Sequence, residues 1–271
     1  FATAVTEGVE GVEVTQLITD QISCLHDYTL TVTAMRAIET ADVIVMNGAG
    51  LEDFMDDALA ASDATVIDCS EGIDLLPARG HEGHDHDTEY DPHIWMDPWR
   101  AIQMIETIQT GLSQLDAAHS EAYLSNCLSA TTLLDSQASV WTELLTPQPN
   151  ESTLKCRELI TFHDGFAYLA DAYGFTILQS IEEEEGSEAS AAEIREIISL
   201  IEEHHLPAIF TEVNGSDATA QAIARETGVQ VASLSMLMSG NGTGIAPYCD
   251  GLRENMETII NSLGEGEVHV S

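Results

Sequence analysis

Apolar positions along this 271-residue chain fall into two alternating rhythms. Short β-branched runs occur at residues 12–18 (VEVTQLI), 42–48 (DVIVMNG) and 64–69 (ATVIDC), and again at 158–162, 175–181, 207–213 and 229–234. Runs of that length and composition read as strands buried in a parallel sheet. Between and after them, residues 31–41, 51–61, 165–173, 189–204, 218–227 and 248–263 space their apolar residues as helices do. The alternation predicts an α/β fold built from strand–helix units.

The middle of the chain departs from that rhythm. Asp97 and Pro98 supply a cap and a first-turn proline, and Ile102, Ile105, Ile108 and Leu112 follow on one helical face. From Ser120 to Leu145 there is neither Gly nor Pro, which at about 1.5 Å per residue makes a rod of roughly 39 Å. The prolines of TPQPNES (146–152) then end it. The expected architecture is two α/β lobes, residues 1–115 and 148–271, each with a mostly parallel sheet flanked by helices, joined by a long rigid helix over 116–147.

Charge narrows the partners. Eight Lys plus Arg against 47 Asp plus Glu give a net charge of −39, with Lys155 the only lysine. Long-range repulsion therefore opposes nucleic acid and anionic membrane surfaces, whereas cations are drawn in. No run approaches the roughly 18 to 20 apolar residues of a membrane span. No charged leader precedes Phe1, so the start reads as that of a processed or trimmed chain. Cys24, Cys69, Cys127, Cys156 and Cys249 show no CxxC spacing, which argues against a thiolate zinc site.

Three histidines stand where a predicted strand gives way to a predicted helix: His26 in CLHDYTLT, His93 in YDPHIWMDP and His163 in ITFHDGF. In open α/β sheets ligands gather outside the carboxyl ends of strands. Imidazole suits zinc, and Asp27, Asp91 and Asp164 lie close enough in sequence to order the loop or the second shell at each histidine. On spacing alone, a lone histidine is more often a loop or core residue than a ligand.

Longer motifs go further. HDYTLTVTAMRAIETADVIVMNGAGLEDFMDDAL, IDCSEGIDLL, DPHIWMDP, TFHDGFAYLADAYGF, AIFTEVNGSDATAQAIARETGVQV and YCDGLRENMETI occur in that order between Gly11 and Leu263. Together they resemble the zinc- and manganese-binding solute-binding proteins of ABC transporters (metal-ion cluster A-I type), and within them a zinc-type member. That resemblance implies one metal ion between the lobes, held by His26 and His93 from the first and His163 from the second. It also implies an extracytoplasmic location, periplasmic or lipid-anchored at the cell surface, a membrane permease as partner, a monomer and no catalysis.

Two departures from the family pattern stand out. Ser235, in SLSML, occupies the position where the family usually has an Asp ligand, so the fourth position falls to water, to Glu212 of FTEV or to a loop residue. Glu212 serves equally as a partner for a nearby polar group. The amino-terminal apolar strand of the family also has no counterpart before Phe1. The segment HEGHDHD, with His81, His84 and His86, resembles a shortened form of the His-rich loop of zinc-specific members; it reads as an auxiliary zinc-gathering loop or as a solvated one. Three neutral imidazoles favour Zn²⁺ over Mn²⁺, which prefers harder oxygen donors. The rival class is a mononuclear zinc hydrolase, for which Asp164 and Glu212 are the candidate bases.

Overall fold

A computed structural model describes residues 1–18, 30–78, 89–146, 154–181, 189–213, 215–238 and 242–264. His26, Asp27, Cys24 and the segment with His81, His84 and His86 lie outside the described residues. The chain divides into two compact units, Phe1–Ser136 with Ser239–Pro247, and Gln137–Met238 with Tyr248–Ser271.

In the first unit the four-residue helix α1 (Ala2–Val5) precedes α2 (Val32–Thr40), β1 (Val43–Met46), α3 (Asp56–Ala60), β2 (Thr65–Asp68) and α4 (Pro98–Leu115). The Thr31 hydroxyl accepts the Ala34 N–H at 3.1 Å and sets the start of α2. β1 and β2 pair in parallel, from Val43 against Thr65 to Met46 against Asp68. Ile38, Ile44 and Met55 form a core between α2 and β1, with Leu17 and Leu30 packed against it. On β2, Ile67 lies so close to α4 that a side chain at Gly111 would collide with it.

One expected strand is absent. Residues 12–18 form no strand: Glu13, Val14, Thr15 and Gln16 are exposed, and only Val12, Leu17 and Ile18 are half-buried. Its polar positions give the run no second buried face, and the strand pairing that would order its backbone does not form.

The long helix α5 is Ser120–Leu145, and the division between the units falls within it. Tyr123, Cys127, Ala130, Leu134, Ala138, Trp141 and Leu145 are all buried. Their three- and four-residue spacing keeps one face of the helix covered along its length.

The second unit is a four-stranded, fully parallel sheet in the order β4-β3-β5-β6, where β3 is Glu158–Thr161, β4 Thr176–Ser180, β5 Ala208–Glu212 and β6 Gln230–Leu234. Helices α6 (Ala167–Tyr173), α7 (Ala191–His204) and α8 (Ala218–Thr227) make the crossovers, and α9 (Ala246–Leu263) closes the chain. The Ser190–Glu193 capping box starts α7, and Gly174 and Gly228, both left-handed, end α6 and α8. Ile160, Ile197, Ile201, Ile209 and Ile223 lie in one buried core cluster. The chain leaves β3 toward β4 on one side and returns to β5 on the other. The C-terminal ends of β3 and β5 therefore flank a topological switch point.

Gly48, just after β1, has φ +82°, and a Cβ there would fall on the Asp68 carboxylate and the Ser70 hydroxyl. Gly72 has φ +79° but open space around it. Gly72→Ala should cost roughly 1 kcal/mol through backbone strain, and Gly48→Ala about 1–3 kcal/mol more through the added clash. Denaturant midpoints of the two variants check this; equal losses would contradict it.

Candidate metal centre

In unit 1 the expected ligand is His93. It is 6% exposed and immediately precedes the 3₁₀ turn Ile94–Met96. No strand leads into it, contrary to the expectation from sequence. A single antiparallel bridge, Pro77 with Tyr90, stands there instead, because Pro77 and Pro92 have no N–H with which to extend a ladder.

A buried carboxylate fixes the ring. Oδ1 of Asp91, 4% exposed, accepts the backbone N–H of His93 at 2.9 Å and meets its Nδ1 at 2.8 Å. An ionised carboxylate only accepts, so the proton sits on Nδ1 and the lone pair on Nε2. That is the tautomer of a metal-ligating histidine oriented by a carboxylate. The Trp95 ring lies 5.3 Å from the imidazole at 57° and walls one side.

Downstream, Asp97 caps α4 by accepting the Trp99 and Arg100 N–H groups at 2.7 and 3.2 Å, and it pairs with the Arg100 guanidinium at 2.6 Å. Burial raises the Asp97 pKa, and these three partners oppose that rise. The loop is thus anchored on both sides of His93.

In unit 2, His163 lies two residues beyond β3 and is 7% exposed, and Glu212 is the last residue of β5. The switch point of the sheet brings them together, with His163 Nδ1 3.5 Å from Glu212 Oε1. This is an ion-pair distance and not a hydrogen bond, unlike the contact at His93. The fully buried Thr161 hydroxyl donates to the His163 carbonyl at 3.0 Å. Asp164, expected to order the loop or the second shell beside His163, accepts from the Ser180 hydroxyl at 3.2 Å. The carboxylate beside the ring comes from the same turn at His93, and at His163 sheet topology brings one from another strand.

Ser235 directly follows β6. Its backbone N–H donates to Asn255 Oδ1 at 2.8 Å, its carbonyl accepts from Asn255 Nδ2 at 2.7 Å, and its hydroxyl accepts the Leu237 N–H at 3.1 Å. Those bonds hold a turn in which Leu237 is left-handed, with φ 56°. The hydroxyl serves the backbone here.

Among the described residues, no three His, Cys, Asp or Glu side chains gather into a metal-binding group. The four described cysteines, Cys69, Cys127, Cys156 and Cys249, are unbonded. Burial is the main cause of the raised thiol pKa values, which reach about 12 at Cys69 and about 11 at Cys249. Such thiols remain protonated and are poor ligands. The sequence reading passed over Asn47 and Glu52, which support the His93 loop; the available signal was an Asn-Gly pair at a strand end followed by an acid.

Comparison with known proteins supplies context. The family profile described as "ZnuA: Zinc-uptake complex component A periplasmic" matches residues 1–262. The iron-binding protein YfeA of Yersinia pestis is 29% identical over 94% of this chain and 80% of its own length. The manganese-binding lipoprotein MntA of Halalkalibacterium halodurans is 25% identical over 89% of this chain and 78% of its own. A crystal structure of ZnuA superposes with a TM-score of 0.79 at 27% identity, covering 96% of this chain and 95% of that one.

The Asp91 contact makes a spectroscopic prediction. Long-range ¹H–¹⁵N correlation spectra near pH 8 should show His93 as the Nδ1–H tautomer, and Asp91→Ala should move it toward the Nε2–H form. An Nε2–H tautomer in the native protein would contradict the assignment.

Proposed function

The chain belongs to the family of the periplasmic component of zinc-uptake complexes, and from that membership we propose that its cargo is Zn²⁺, ligated by His26, His93 and His163. The protein is a metal-binding solute-binding protein of ABC import, extracytoplasmic, and not an enzyme. The zinc hydrolase reading is accordingly set aside. Relatives carry zinc, manganese and iron in their names, so the choice of metal rests on the donor set.

The observation that carries the proposal is the buried Asp91 carboxylate bonded to Nδ1 of His93 at 2.8 Å; at His163, Glu212 Oε1 stands at an ion-pair distance of 3.5 Å from Nδ1, longer than a hydrogen bond. Carboxylates in those positions make the imidazoles better donors and turn Nε2 toward an ion. Glu212 acts in this scheme as the partner that orients His163 rather than as the fourth ligand, and a water completes the tetrahedron. With Ser235 in place of a carboxylate, the set is nitrogen-rich, which favours Zn²⁺ over Mn²⁺ by donor type and by position in the divalent series. His81, His84 and His86 serve as auxiliary zinc-gathering residues. The protein acts as a monomer that hands its ion to a membrane permease, and a lipid anchor or the periplasm keeps it there.

The net charge of −39 assists the first step, since a field of that sign raises the local concentration of divalent cations. It does not choose between them. Selectivity is left to the imidazoles.

Titration calorimetry of metal-free protein tests the reading. One Zn²⁺ per chain should bind at high affinity and Mn²⁺ far more weakly. His93→Ala and His163→Ala should each cost more than the roughly 10–100-fold that loss of an outer partner costs. Coordination needs neutral imidazole, whose ordinary pKa is about 6.5, so affinity should fall as pH drops from 7.5 to 5. Equal affinities at the two pH values, or tighter binding of Mn²⁺, would contradict the proposal.

A further inference from the structure

Asn47 stands at the end of β1, immediately before Gly48. From one nitrogen, Nδ2, its side chain donates to two carbonyls, Gly48 O at 2.9 Å and Pro92 O at 2.8 Å. The first bond is local; the second reaches 45 residues along the chain to the residue that precedes His93.

The peptide between Pro92 and His93 is therefore held at both ends. Its carbonyl receives Asn47 Nδ2 and, at 2.8 Å, the Ile94 N–H. Its N–H points to Asp91 Oδ1 at 2.9 Å. Asp91 fixes the rotation of the imidazole, and the carbonyl clamp fixes the backbone from which the imidazole projects. Either one alone leaves the other degree of freedom open.

Asn47 is itself braced. The Glu52 carboxylate accepts the Asn47 N–H at 2.8 Å and the Gly48 N–H at 3.0 Å. Gly48 supplies the positive φ and the missing Cβ that let this turn close beside Asp68. A continuous path thus runs from the paired strands β1 and β2, through the turn braced by Glu52, to the loop that bears His93.

The other side-chain atom explains why this position takes an amide. Asn47 Oδ1 is buried and has no hydrogen-bond partner among the described residues. A buried acceptor without a donor is a cost, and the two bonds from Nδ2 are what the side chain provides against it. A carboxylate of the same shape would set an acceptor against two carbonyl oxygens. Only a donor satisfies this geometry.

We infer that Asn47 is a positioning residue for metal capture: by clamping the Pro92 carbonyl it aims the Nε2 of His93. The inference rests on His93 being a ligand, as proposed above. Asn47 does not touch the ion, so its loss should weaken capture without abolishing it.

The test compares Asn47→Ala, Asn47→Asp and His93→Ala. Zinc affinity is measured by competition with a chromophoric chelator, Co²⁺ d–d absorption reads the coordination geometry, and thermal melts of the metal-free forms read the fold. The Asn47 variants should unfold cooperatively, lose about 10–100-fold in zinc affinity, and show shifted Co²⁺ bands with reduced intensity. Native affinity in Asn47→Ala, weakened affinity with native Co²⁺ bands, or loss of cooperative unfolding in both variants would each overturn the inference, the last two by reducing Asn47 to a structural role. Native affinity in His93→Ala would instead overturn the ligand assignment itself.

Discussion

An imidazole offers a metal its lone pair only where its other nitrogen keeps a proton, and burial makes that choice of nitrogen a property of the protein. At His93 the choice is made by Asp91, whose one oxygen meets both the ring Nδ1 and the backbone N–H of the same residue. That short contact, between two side chains that are both almost fully buried, cannot be replaced by water without reopening both tautomers. The surrounding structure supports it: Asp97 caps the following helix, Trp95 walls the ring, and Asn47 holds the preceding carbonyl.

The second unit reaches the same end by topology. A parallel sheet that starts in its middle strand and winds both ways leaves two strand ends side by side with no crossover helix between them. Here those ends belong to β3 and β5, and the side chains placed there are His163 and Glu212. Each imidazole thus has a carboxylate beside Nδ1, hydrogen-bonded within a local Asp-Pro-His turn in one unit and held at ion-pair distance by the switch point in the other.

Much of this was legible beforehand because the determining signals are local. β-branched runs marked β1 through β6, Asp97 and Pro98 marked the start of α4, and the absence of Gly and Pro marked α5 from Ser120 to Leu145. Residues 12–18 misled because their β-branched content suits a strand while their polar positions leave the run exposed. His93 was found by motif, but its context was misjudged, since among the described residues only the Pro77–Tyr90 bridge precedes it and Pro92 has no N–H to donate to a ladder. Asp91 was anticipated as its neighbour. Glu212 was named without its partner, because pairing across a sheet depends on strand order and not on sequence distance. Asn47 escaped notice for the same reason, its decisive bond being made to a residue far along the chain.

The central claim is that the ion sits on the ring nitrogens that the carboxylates leave as lone-pair donors. Crystals of the protein loaded with Zn²⁺, measured on both sides of the zinc absorption edge, test it most directly. The account predicts one strong anomalous peak about 2.0 to 2.1 Å from a nitrogen of each of His26, His93 and His163, that nitrogen being Nε2 in His93 and His163. A peak elsewhere, a peak on the Nδ1 side of His93, or no peak after loading would contradict it.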